Sequence, residues 1–247
     1  MDNAENITRR RLLQRAGVVG LAAMTGGALA VDAAQAESYG SKLTLTPEQE
    51  VGPFYVALEK IRQDVRLGRP GVPLHLKVKV VDTTNAPIKN AALDIWQADA
   101  GGVYSDESSE STVGQTWLRG VQLTNAEGVG EFQTVYPGHY QGRTTHIHVK
   151  VHIGGHISGK AYAGGHVSHT GQLLFADAIS TQVYALAPYT SNTGSRTYNK
   201  DDRVYTQQGG SHVLLKLTRL GNSVSDGYLG VITLVVDPKA TPAAVGM

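Results

Sequence analysis

Leu74-His75-Leu76-Lys77-Val78-Lys79-Val80 alternates apolar and polar side chains along its whole length, the period-two pattern of a strand with one face in a core. Thr83-Thr84-Asn85-Ala86-Pro87 follows as a turn cluster, and Ala92 to Ala98 reads as the next strand. Asn125-Ala126-Glu127-Gly128 makes another turn ahead of Glu131-Phe132-Gln133-Thr134-Val135. Ile147–Ile153, Val213–Thr218 and Leu229–Val236 are further strand candidates. Strands at this spacing, with long periodic helices scarce, predict an all-β protein: an antiparallel β-sandwich with long loops and few short helices. One such helix is expected at Thr46-Pro47-Glu48, where a capping residue precedes proline at the first helical position. Gly154–Gly165 and Ser191–Gly210 read as loops.

The chain has 247 residues, 41% of them hydrophobic and 17% charged, an ordinary globular balance that allows one sizeable core. Its formal charge of +1 carries no pull towards nucleic acid. The absence of cysteine excludes disulfides, thiolate metal sites and a cysteine nucleophile. At the amino terminus, Arg9-Arg10-Arg11 precedes an uncharged run from Ala16 to Val31, which is shorter than the ~20 residues a membrane-spanning helix needs. Ala34-Gln35-Ala36 then supplies a small-x-small cleavage site. Residues 1–36 therefore read as an export signal of twin-arginine type, with residues 37–247 as a single domain. Its removal leaves 18 basic and 18 acidic residues and no membrane anchor, in a protein placed in the periplasm or outside the cell.

Two biases point to chemistry. Tyrosines number 11 against three phenylalanines, and seven of the nine histidines fall between His139 and His169. In Arg143-Thr144-Thr145-His146-Ile147-His148-Val149, residues two apart share a strand face, so His146 and His148 project together and offer two nitrogens to a metal. The usual completions are missing. No histidine is followed two residues on by Asp or Glu, and no His-Glu-x-x-His occurs. Tyrosine is the over-represented candidate for the remaining ligands. His139, His152, His156, His166 and His169 are expected at the surface or behind the ligands, although Gly-Gly-His recurs at His156 and His166.

Four segments in order resemble the intradiol ring-cleavage dioxygenases. They are Thr46–Tyr55, Asp94–Ser105 around Trp96 and Tyr104, Leu118–Thr124 with Tyr136–Tyr140, and Arg143-Thr144-Thr145-His146-Ile147-His148. The last matches Arg-x-x-His-x-His, with threonines where the family commonly has Pro-Ala. The resemblance implies one non-haem Fe(3+) per chain, held by Tyr104, Tyr140, His146 and His148. It also implies a small aromatic diol and O2 as substrates, with cleavage between the two hydroxylated carbons to a muconate-type diacid. Tyr140 becomes the phenol that leaves the metal and takes up a proton, Arg143 stabilises developing negative charge, Gln172 hydrogen-bonds the substrate, and Phe54 walls the pocket. Two other readings use the same residues: a non-catalytic transthyretin-like binding module, and an exported histidine-rich metal-binding protein.

Overall fold

The computed structural model describes residues 42–57 and 60–246, and the signal predicted over 1–36 lies outside them. Ten strands are found among these residues: β1 (Pro73–Val81), β2 (Ala92–Trp96), β3 (Arg119–Leu123), β4 (Val129–Val135), β5 (His146–Ile153), β6 (His156–Ser158), β7 (Ala161–Ala163), β8 (His166–Leu174), β9 (Lys216–Arg219) and β10 (Tyr228–Val235). Two short helices, α1 (Asp177–Tyr184) and α2 (Arg203–Gln207), lie between β8 and β9. None is long and apolar enough to cross a membrane among the described residues.

Two four-stranded sheets, ordered β4-β1-β10-β9 and β3-β2-β5-β8, carry the all-β architecture. Every named pair is antiparallel except β1 with β10, which run parallel in register from Leu74↔Tyr228 to Val81↔Val235. A parallel pair needs a long crossover, and the whole chain between Val81 and Tyr228 provides it.

The alternation of β1 is realised as expected: Leu74, Leu76, Val78 and Val80 are completely buried. They meet Leu93 and Ile95 of β2 and Ile147, Val149 and Val151 of β5 in one core. Each such side chain contributes about 1.5–3 kcal/mol by leaving water, so stability resides between the sheets and their other faces can carry polar chemistry. On β2 and β5 that other face is also buried, and neither strand shows an alternating burial pattern. Loops cover it, and Trp96, Ala98 and Tyr104 form a second apolar cluster there with Phe54, Tyr55 and Tyr140. Register lines up one row across the covered face: Arg119↔Trp96, Trp96↔His148 and His148↔Gln172.

Several expectations are corrected. Residues 42–57 contain no helix, because Thr46, Gln49 and Glu50 spend their backbone N–H groups on Val235, Thr170 and Gln208. Gly154–Gly165 holds the β6–β7 hairpin rather than a loop, with Tyr162 buried beneath it. The strand expected from Val213 starts only at Lys216, after a 3-10 turn over Gly210–Val213. Of the histidines expected at the surface or behind the ligands, His156 is exposed and His166 part-buried, while His139, His152 and His169 are buried, each under 8% exposed.

Candidate metal centre

His146 and His148 leave β5 on the covered face, while Ile147 between them enters the core. The Nδ1 of His146 lies 2.6 Å from the Thr144 carbonyl oxygen. A carbonyl only accepts, so Nδ1 carries the proton and Nε2 presents a lone pair. The His148 ring stacks on Trp96, 4.7 Å between centroids and 4° from parallel. Gly52 packs against its other side: a Cβ there would lie 3.1 Å from His148 Cε1, and the backbone φ of +71° favours glycine.

The two phenols arrive on loops. Asp99 shapes the first, accepting the N–H groups of Gly101 and Val103 at 2.9 and 3.1 Å, and thereby presents Tyr104. Gly102, at φ +85°, allows this loop to touch the next, since a Cβ would sit 2.2 Å from the His139 carbonyl oxygen. Tyr140 and Arg143 flank the tight turn Gln141-Gly142 and bridge each other. Arg119, which sequence reading passed over, ties the assembly together. It donates to Ser105 Oγ at 2.8 Å, to the Ser105 carbonyl at 2.7 Å and to the Phe54 carbonyl at 2.8 Å.

These elements deliver four donor atoms to one point. His146 Nε2 lies 3.0 Å from His148 Nε2, 3.1 Å from Tyr140 Oη and 3.4 Å from Tyr104 Oη. One imidazole lone pair accepts one hydrogen bond, so three contacts exceed what hydrogen bonding alone can satisfy. Donors held about 2.0–2.2 Å from a single cation stand about 2.8–3.6 Å apart, which is the spacing found. Among the described residues no three His, Asp or Glu side chains form a metal group by themselves. Phenols complete the set, and hard anionic oxygen suits a hard trivalent ion such as iron(III). The donors fit that ion.

Burial sets their protonation. Tyr104 is pushed well above the usual phenol value by desolvation, then by Tyr140. Tyr140 is also raised by burial, but the Arg143 charge opposes this. Burial, with Arg143 adding, lowers His146 from 6.5 to about 3, and His148 falls well below its ordinary value through burial and its neighbour His146. A histidine with a depressed folded value stabilises the fold above its unfolded pKa and loses this as pH falls towards the folded one. The melting temperature of the iron-free chain is therefore expected to drop steeply from pH 6.5 towards about 3, and less steeply in His146→Gln. Equal slopes would place a charged imidazole in the folded chain.

Phe54 stacks on Tyr104 at 4.4 Å and meets Tyr140 edge-on at 5.9 Å, so its half-buried ring covers both phenols. Arg143 is gripped on three sides: Nε donates to Asp202 Oδ2 at 2.9 Å, a terminal nitrogen to Gln172 Oε1 at 2.5 Å, and the other faces Glu50 Oε1 at 3.4 Å. Gln172 is fully buried, and its amide nitrogen donates to the Glu50 carbonyl at 3.0 Å. Each end of its amide thus has one protein partner, Arg143 at the oxygen and the Glu50 backbone at the nitrogen. Asp202 and Glu50 were not singled out from sequence, since each meets Arg143 from a distant stretch of chain.

A β-sandwich whose covered face gathers two imidazoles, two phenols and a clamped arginine has the donor set of a metal-dependent oxidoreductase. The dioxygenase family profile matches residues 51–187. The solved intradiol ring-cleavage dioxygenase from Tetranychus urticae is 30% identical with a TM-score of 0.71, covering 81% of this chain and 98% of that one. The dioxygenase domain of a carbohydrate-binding fusion from Streptomyces sp. SirexAA-E is 29% identical, with a TM-score of 0.56 over 78% of this chain and 99% of that one. Catechol 1,2-dioxygenase of Candida albicans is 28% identical over 183 residues, 67% of this chain and 58% of the relative. The chain thus spans less than two thirds of the length of that curated relative. It belongs to the intradiol ring-cleavage dioxygenase family, a family generally dependent on Fe(III).

Proposed function

We propose that this chain binds one iron(III) through Tyr104, Tyr140, His146 and His148 and opens the ring of a catechol-type diol between its two hydroxylated carbons. The convergence of three further donor atoms on the single lone pair of His146 Nε2 carries this reading. When bound, iron(III) supplies a Lewis acid that polarises a chelated diol towards attack by dioxygen. Both oxygen atoms enter the product, a muconate-type diacid with the composition of diol plus O2.

The protein's own groups have separable tasks. Tyr140 is the half-buried phenol beside a guanidinium, whereas Tyr104 is 2% exposed under Phe54. Tyr140 is accordingly the phenol that exchanges, its Oη accepting a diol proton. Arg143 offers a fixed cationic donor to charge that develops on the substrate. Phe54 excludes water from the phenols, and Gln172 holds Arg143 in place beside the substrate it is expected to meet.

The test is oxygen uptake and ultraviolet product spectra with catechol, protocatechuate and hydroxyquinol on iron-loaded protein. One dioxygen consumed per diol is expected, together with the strong visible absorption of phenolate on iron(III). A colourless protein that consumes oxygen with none of the three overturns the reading. The proposal includes export through residues 1–36, for which the exported chain is expected to begin at Glu37 on amino-terminal sequencing.

A further inference from the structure

Asp202 caps α2 from inside the molecule and has no solvent exposure. Its Oδ1 accepts the Tyr205 N–H at 2.8 Å. Its Oδ2 accepts the Thr144 N–H at 2.8 Å and Arg143 Nε at 2.9 Å. Three N–H donors thus converge on two oxygens from which water is excluded. Only a carboxylate satisfies all three, because an asparagine amide has one accepting oxygen and, in either orientation, aims an NH2 at N–H donors. Thr144 is held at other points as well. Its hydroxyl donates to Asn199 Oδ1 at 2.5 Å, and Asn199 donates in turn to the Phe175 carbonyl at 3.0 Å. The carbonyl of this same residue receives the proton of His146 Nδ1.

We infer that Asp202 and the backbone N–H of Thr144 form a buried latch that positions two functional groups together, the Arg143 guanidinium and the Nδ1–H tautomer of His146. Asp202 touches neither donor set nor substrate, so it is a positioning residue. Threonine at 144 belongs to the device, since proline at that place has no N–H to give. The latch also explains why 59 residues of chain separate Arg143 from its partner: the loop after α1 returns to deliver one carboxylate. The inference rests on the iron-site reading above and deepens it.

Three measurements on the full chain test it. In the iron-free wild type, nitrogen-15 NMR of the histidines is expected to show His146 protonated at Nδ1 near neutral pH; protonation at Nε2 overturns the latch without any substitution. Asp202→Asn is expected to weaken iron retention or lower kcat by about 10–100-fold, with KM changing less, and to alter the phenolate-to-iron band. A folded Asp202→Asn protein with wild-type band, iron affinity and kcat overturns it. Where Asp202→Asn does not melt cooperatively, Thr144→Pro, which removes the backbone donor and the hydroxyl and also fixes φ at 144, decides on the same readouts, with Thr144→Val as the control that removes the hydroxyl alone. A cap that merely stabilised α2 would lower the melting temperature and leave band and kcat unmoved. A wild-type chain that takes up no iron sinks the proposed function instead, and the tautomer measurement still judges the latch.

Discussion

Replacing His146 by alanine is expected to abolish iron retention and the visible colour, and to cut turnover by more than about 10³-fold, the scale on which losing a charge-stabilising centre acts. His146 is the hub of the site, because its Nε2 is the atom that His148, Tyr140 and Tyr104 all approach within 3.4 Å. The alternative of glutamine at 146 keeps a polar group but cannot reproduce an aromatic nitrogen anchored from behind by the Thr144 carbonyl. The fold itself should survive, since the sandwich core lies on the far side of β5 with Ile147 and Val149. Metal analysis, absorption spectroscopy and oxygen uptake on the purified variant check this. Retention of stoichiometric iron and colour in His146→Ala would move the centre elsewhere.

Tyr140→Phe separates binding from turnover. The substitution removes one hydroxyl and keeps the ring that packs on Phe54, Tyr104 and His146. Stability should change by no more than about 1 kcal/mol. Iron is expected to remain, because Tyr104 and both imidazoles still surround it, so the protein stays coloured with a shifted band. Turnover is expected to fall by about 10²-fold or more, the usual contribution of a positioned proton acceptor. The asymmetry comes from surroundings rather than residue type. Burial raises both phenols and Arg143 opposes it in both, but for Tyr140 that opposition ranks directly after burial, whereas for Tyr104 the neighbouring Tyr140 adds to the rise first. Tyr104→Phe should accordingly lose more iron than Tyr140→Phe, and the reverse order in metal content would exchange the two roles.

Much of the site was readable before any coordinates. The His-x-His pair on an alternating strand shows in the sequence as a shared face, because a strand repeats every two residues. The tyrosine excess and the ordered segments around Tyr104 and Tyr140 supplied the other two donors. Less readable were groups whose role depends on distant partners. Arg119 drew no role of its own within Leu118–Thr124, yet its register with Trp96 makes it a strut for the Tyr104 loop. Gln172 read as a substrate contact, and its partnership with Arg143 and the Glu50 backbone was not legible beside that. The missing helix at Thr46 has a similar cause: its capping signal was sound locally, and pairing with Val235 and Thr170 outweighed it.

Side-chain periodicity thus determined an all-β sandwich and the shared face of His146 and His148, because both are properties of a few neighbouring residues, while Tyr104 and Tyr140 entered through the ordered resemblance. That two phenols, two imidazoles, Arg143 and the carboxylate of Asp202 share one small volume was settled only by folding. Those contacts span up to 59 residues of chain, and nothing short of packed sheets and loops specifies which distant groups meet.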